Sequence, residues 1–153
     1  MEIERKFLIH TMPNNIEQWQ KRRIEQGYLS TNPVVRIRQV DEEYILTYKS
    51  SGMLQRQEVE LPLTKESYEH LKTKVDGRLI TKDRYLIPYK TWTIELDYFH
   101  GELEGKVLAE VEFSSVEEAD TFVPPDWFGC DVTLQKEYHN SYLSQAVQLP
   151  EFC

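Results

Sequence analysis

The chain has 153 residues, of which 40% are hydrophobic and 29% charged, and a formal net charge of −8. That is length enough for one domain with a sizeable core, and the acidic balance argues against a general binder of nucleic acid or anionic membrane, which would repel the chain unless its Lys and Arg were gathered in one place. Cys130 and Cys153 lack the spacing of a metal site or a disulfide framework, no run approaches 18 apolar residues, and the charged start M-E-I-E-R-K lacks a signal peptide's apolar stretch. A cytoplasmic protein is expected, a single domain over 1–153, with no nucleic-acid or membrane partner; a homodimer stays open as the assembly.

Taken in chain order, residues 1–8 alternate as a strand does, with Glu2, Glu4 and Lys6 on one face and Ile3, Arg5 and Phe7 on the other. The spacing of Ile16 and Trp19 predicts a helix over 13–24, closed by Gly27 and followed by a strand over 28–31. Arg36 and Arg38 flank Ile37, and Thr47 and Lys49 flank Tyr48, with Asp41-Glu42 as the turn between them. After a turn at Ser51-Gly52, Arg56, Glu58 and Glu60 enclose Gln57 and Val59. Thr64 is placed to cap a helix over 65–75, where Tyr68, Leu71 and Val75 share a face. Strand-like alternation returns with Lys82 and Arg84, with Glu95 and Asp97, and, beyond a turn over 101–105, with Glu110 and Glu112. Ser115 and Glu118 read as a capping box for a helix over 116–123, and a last helix is expected over 141–149.

Seven segments thus place two or three polar or charged groups on one face, opposite a mostly apolar one. Two architectures fit: an open antiparallel sheet with a solvated charged face, or a closed barrel of about eight strands whose charged faces line the lumen while helices cover the apolar faces outside. Two features favour the barrel. Whole strands are acidic or basic, whereas exposed faces usually mix Thr, Ser, Gln and Lys, and the candidate lumen nearly balances. Its acidic members are Glu2, Glu4, Glu58, Glu60, Glu95, Asp97, Glu110 and Glu112; its basic members are Lys6, Arg36, Arg38, Lys49, Arg56, Lys82 and Arg84. Interleaved charges can satisfy one another, yet such an interior stabilises less well than an apolar one, so a chain that builds it is expected to use it. Arginines and lysines on neighbouring strands suit a ligand with several phosphates, and carboxylate clusters suit a hard divalent cation such as Mg2+ or Mn2+.

The ordered set E-I-E-R-K at 2–6, R-I-R at 36–38, T-Y-K at 47–49, E-V-E at 58–60, K-D-R-Y at 82–85, E-L-D at 95–97 and E-V-E-F at 110–113 resembles the CYTH superfamily of triphosphate tunnel metalloenzymes. Q-G-Y-L at 26–29, P-P-D-W-F-G at 124–129 and K-E-Y-H-N at 136–140 resemble in particular its small bacterial inorganic triphosphatases. The resemblance implies an α+β fold built on an eight-stranded antiparallel closed barrel. It implies Mg2+- or Mn2+-dependent hydrolysis of the terminal phosphoanhydride of a triphosphate, with inorganic tripolyphosphate expected ahead of a nucleoside or thiamine triphosphate. It casts Glu2, Glu4 and Glu112, supported by Glu110, as metal ligands. Arg36, Arg38, Lys49, Arg56, Lys82, Arg84 and Lys136 become phosphate ligands, and Lys6 with Tyr28 a catalytic dyad. Glu58, Glu60, Glu95 and Asp97 remain as supporting carboxylates. A class IV type adenylate cyclase and a non-catalytic polyphosphate- or nucleotide-binding module are the alternatives. Trp19, Trp92, Trp127 and Phe128 are expected to pack, and none of the histidines at 10, 70, 100 and 139 is assigned to a metal.

Overall fold

The computed structural model describes residues 1–152. Ten antiparallel strands form one sheet: β1 (Glu2–Ile9), β2 (Gln20–Thr31), β3 (Val34–Val40), β4 (Glu43–Lys49), β5 (Gln55–Arg56), β6 (Glu58–Pro62), β7 (Asp76–Tyr89), β8 (Trp92–Phe99), β9 (Val107–Glu112) and β10 (Phe128–Asp131). Three short helices accompany them, α1 (Lys65–Lys72), α2 (Val116–Thr121) and α3 (Asn140–Gln145). The spatial order is β10-β1-β9-β8-β7-β2-β3-β4-β6, and β5 returns to pair with β1. That last pairing, Glu2 opposite Arg56 and Ile3 opposite Gln55, nearly closes the barrel. The count exceeds the expected eight for two local reasons. One stave breaks at Gln57, whose backbone bonds to Ser50, so that β6 stays with β4 while β5 crosses to β1. β10 is an addition outside the ring, taking the edge of β1 from Phe7 onward that β5 leaves unpaired.

The helix expected over 13–24 is absent. The Ile16 and Trp19 spacing is met by one 3-10 turn, Ile16–Gln18, and the chain then extends as β2. Here non-local pairing overrides local periodicity, because β2 is hydrogen-bonded along both edges, to β3 and to β7. Gly27 does not end a helix; it lies within β2, where an added Cβ would come within 2.6 Å of Val75 Cγ1. The other helices begin as expected, with Thr64 Oγ1 accepting from Ser67 N and Ser115 Oγ from Glu118 N, but each stops short of its expected end.

Period-two alternation puts Ile3, Phe7, Ile87, Ile94, Leu96, Ala109 and Val111 on the outside of the barrel, where they form a core with Phe113, Ala119, Phe122 and Phe128. Arg5 ties this layer down: its guanidinium donates to the Ala119 and Phe122 carbonyls and pairs with Asp131 at 2.8 Å. Trp19, Trp92 and Trp127 pack against it. The inward positions change character along each strand. They run Glu2-Glu4-Lys6-Leu8 on β1, Glu112-Glu110-Leu108 on β9, Glu95-Asp97-Phe99 on β8 and Arg84-Lys82-Ile80 on β7. Leu8, Ile80, Phe99 and Leu108 join Tyr28, Val34 and Leu143 of α3 in a second core. The barrel is therefore a charged cup on an apolar floor to which α3 contributes. Among the described residues no helix is long and apolar enough to cross a membrane.

Candidate active site

The cup holds a cavity of about 190 Å³. Seven carboxylates line it, Glu2, Glu4, Glu58, Glu60, Glu95, Glu110 and Glu112, with seven cations, Lys6, Arg36, Arg38, Lys49, Arg56, Lys82 and Arg84. Tyr28, Val34, His139, Asn140 and Ser141 complete the wall. Of the expected site residues only two lie elsewhere. Asp97 sits beneath Lys82 and Arg84, nearly inaccessible, and Lys136 is exposed at an adjoining opening that shares Arg56, His139 and Ser141 with the cavity.

The charges are not evenly paired. On β7, Arg84 grips Asp97 with two nitrogens at 2.7 and 2.8 Å, and Lys82 reaches the same carboxylate at 2.7 Å. Burial opposes ionisation of Asp97, but Arg84 and Lys82 outweigh it and lower its pKa. Burial pushes the fully enclosed Lys82 ammonium down to about 7 despite Asp97. Lys49 bonds Glu2 at 2.8 Å and Glu58 at 3.4 Å, Arg56 bonds Glu2 at 3.2 Å, and Lys6 bonds Glu110 at 3.4 Å. Glu110 is held well below the usual carboxylate range, because Lys6, Arg84 and Lys82 overcome its burial.

Two groups of side chains escape this neutralisation. Arg36 and Arg38, neighbours on the inner face of β3, make no ion pair among the described residues; Arg36 donates to Thr47 Oγ1 at 3.3 Å and Arg38 Nε to Gln26 Oε1 at 2.8 Å. Arg36 Nε has no hydrogen-bond partner among the described residues. Burial, then Arg36 and Arg84, push the Arg38 guanidinium down to about 9, which leaves it charged at neutral pH. On the opposite account, Glu4 and Glu112 face one another in the β1–β9 register, a like-charge juxtaposition that disfavours ionisation. Among the described residues Glu4 has one ion-pair contact, a long one of 3.9 Å to Arg56, and burial followed by Glu110 raises its carboxyl to about 8. Burial, then Glu2 and Glu95, also raise Glu112.

The donor set on that side is all oxygen, and its carboxyls resist ionisation for want of a nearby cation, which a hard divalent ion would supply. Among the described residues no three Asp, Glu, His or Cys side chains are already gathered as a ligand cluster, and Glu2 and Glu110 are engaged by lysines and Arg56. Lys6 and Tyr28 share the cavity but not a hydrogen bond: Lys6 Nζ is held by Glu110 and the Tyr138 carbonyl, Tyr28 Oη by Gln26.

A family model described as the CYTH domain matches residues 1–141. The chain belongs to the CYTH family. An inorganic triphosphatase of Nitrosomonas europaea is 40% identical over 150 residues, 95% of this chain and 98% of that protein. Another of Acetivibrio thermocellus is 37% identical over 123 residues, 77% of each. A crystal structure of an inorganic triphosphatase superposes with a TM-score of 0.71 at 38% identity, covering 96% of both chains.

Some polar residues in or behind the wall of this CYTH cavity carry no assigned role in the sequence. Gln26 lies in the quoted Q-G-Y-L, past the helix expected over 13–24, and only its place in β2 sets it on the Tyr28 face, buried behind the wall. Asn140 and His139 belong to the quoted K-E-Y-H-N, but nothing in their spacing says that α3 returns to the barrel. His139 Nε2 bonds the Thr133 carbonyl at 3.0 Å, and burial, then Lys6, push its imidazole down to about 4. It is therefore neutral at pH 7, with Nε2 as the donor.

Proposed function

We propose that this CYTH protein is a metal-dependent triphosphatase that cleaves the terminal phosphoanhydride of inorganic tripolyphosphate. The observation that carries the reading is the coexistence, in one small cavity, of an arginine pair and a carboxyl pair, Glu4 and Glu112, that among the described residues lack counter-charges of their own. A ligand that is itself a polyanion bearing a hard cation satisfies both at once. The triphosphatase relatives support the same substrate class.

Arg36, Arg38 and Lys82 would take phosphoryl oxygens, and being fixed by Thr47, Gln26, Asn140 and Asp97 they meet charge developing on the terminal phosphoryl without reorganising. Glu2, Glu4, Glu110 and Glu112 would hold a divalent cation, Mg2+ or Mn2+, which when bound neutralises phosphoryl oxygens and acidifies coordinated water. Water oxygen bonds the terminal phosphorus as the bond to the bridging oxygen breaks, giving orthophosphate and pyrophosphate. Lys6, engaged by Glu110, serves better as a charge near the phosphates than as the base acting on that water.

Phosphate release from tripolyphosphate, ATP and thiamine triphosphate with Mg2+ or Mn2+, run beside an assay for cyclic AMP, tests the reading. Tripolyphosphate is expected to turn over fastest with no cyclic nucleotide formed; faster turnover of ATP would overturn the substrate assignment.

A further inference from the structure

One uncharged, fully buried side chain governs how several cavity groups are presented. Gln26 of β2 has no solvent exposure, and its amide orientation is dictated by partners that can only donate. Arg38 Nε–H, 2.8 Å away, must meet Oε1. At the far end of this hydrogen-bond network Lys82 Nζ, held as a donor by the Asp97 carboxylate at 2.7 Å, meets Asn140 Oδ1 at 2.9 Å. Gln26 Nε2 is then the donor to Asn140 Oδ1 at 3.3 Å and to Tyr28 Oη at 3.1 Å. The Tyr28 hydroxyl accepts from Gln26, and its own hydrogen is left for the cavity that Tyr28 lines. Arg38, anchored through Nε, keeps both terminal nitrogens without a partner among the described residues.

We propose that Gln26 is a positioning residue of the phosphate-binding wall, a deduction that rests on the triphosphatase reading. Through one amide it turns the terminal nitrogens of Arg38 inward, makes Tyr28 a hydrogen-bond donor toward a phosphoryl oxygen, and through Asn140 steadies Lys82. A carboxylate of the same shape would undo all three effects. It would pair with Arg38 and neutralise it, draw the Tyr28 hydrogen back to itself, and repel Asn140 Oδ1.

Gln26→Glu is therefore the diagnostic variant, assayed for kcat and KM with tripolyphosphate in the native and Tyr28→Phe backgrounds, beside Tm. It is expected to raise KM by about tenfold or more, the scale of a lost hydrogen bond to a charged group, while Tm stays close to that of the native protein because Arg38 gains an ion pair. In the Tyr28→Phe background the added loss should be smaller, since part of the effect passes through a hydroxyl already removed. Gln26→Met, which deletes both amide functions without adding charge, should also raise KM and serves if Gln26→Glu does not fold. With a native protein that turns over normally, unchanged kcat/KM in the variants, or losses that multiply in full in the double variant, would overturn the proposal. Failure of the native protein itself to hydrolyse tripolyphosphate would instead strike the functional reading.

Discussion

Arg84 and Arg38 are both arginines on the inner wall of one barrel, two strands apart, yet their surroundings give them different jobs. Arg84 is locked by Asp97, with Glu95 at 3.2 Å, so its charge is consumed within the protein. Arg38 is held by the neutral amide of Gln26, so its position is fixed while its charge stays available. The carboxylates differ in the same way: Glu110 is already ionised against Lys6, and Glu4 is left crowded against Glu112. A cavity with as many cations as carboxylates can thus still bind strongly, because its unpaired groups are segregated, arginines on β3 and carboxyls on β1 and β9, while ion pairs such as Arg84–Asp97 hold the wall in place.

The largest effect should come from the carboxylate side. Burial and Glu110 hold Glu4 at about 8, so at pH 7 its resting form is mainly the neutral acid, which Glu4→Gln imitates. The variant should fold normally and bind tripolyphosphate within about threefold of the native protein, while kcat falls by about a hundred- to a thousandfold, as when one fixed transition-state contact is lost. Equal losses in binding and turnover would break the distinction between the two sides. Since a cation must displace the Glu4 proton, apparent Mg2+ or Mn2+ affinity should rise by up to about tenfold per pH unit from 6 toward 8 and level off above, and Glu4→Gln should flatten that rise. Calorimetric titration across this range reads it directly.

The two arginines then separate affinity from stability. Arg38→Ala should weaken tripolyphosphate binding by about a hundredfold with little change in Tm, and Arg38→Lys should recover little, because a point charge cannot keep the Gln26 contact and still present two nitrogens. Arg84→Ala strands a buried Asp97 carboxylate with Lys82 as its remaining ion pair. It should cost about 3–5 kcal/mol of stability, which for a chain of this length lowers Tm by about 10 °C, visible by calorimetry without any ligand. If Arg38→Ala proved the more destabilising, the division between spent and available charge would be wrong.

The inward rows of charge were legible in the sequence because period-two alternation survives any detail of pairing: Glu2, Glu4, Lys6, Arg84 and Glu110 fall on the face that alternation assigns them. The first helix is absent because Ile16 and Trp19 mimic helical spacing over a single turn, while the strands that override it, β3 and β7, lie further along the chain. The eighth stave hid its break at Gln57, since a peptide that changes partners leaves no mark on side-chain pattern. Which arginine is free and which is spent was not legible either. R-I-R and K-D-R carry the same chemistry, and only the register sets Asp97 opposite Arg84 and Gln26 opposite Arg38.

The smallest expected effect lies at His139, where the paired lower wall meets the opening. Its imidazole, buried and close to Lys6, is pushed from 6.5 down to about 4. Below pH 6.5 the unfolded chain takes up a proton there that the folded protein refuses, so this group's contribution to stability is complete above 6.5 and drains away as pH falls toward 4. Glu4 works in the opposite sense: its folded value lies above the unfolded 4.5, so its contribution is complete below 4.5 and is lost as pH rises toward 8. The two oppose one another between pH 4.5 and 6.5, where Glu58 and Glu112, also raised, act in the sense of Glu4, so the His139 contribution is read as the difference between variant and native protein. His139→Gln, whose amide can still donate to the Thr133 carbonyl, removes only the first contribution, so its Tm should climb by a few degrees relative to the native protein on acidification from 6.5 to 4.5. Parallel Tm curves for the two proteins would show that the imidazole takes up its proton freely in the folded state, and that Lys6 and the buried wall do not press on it.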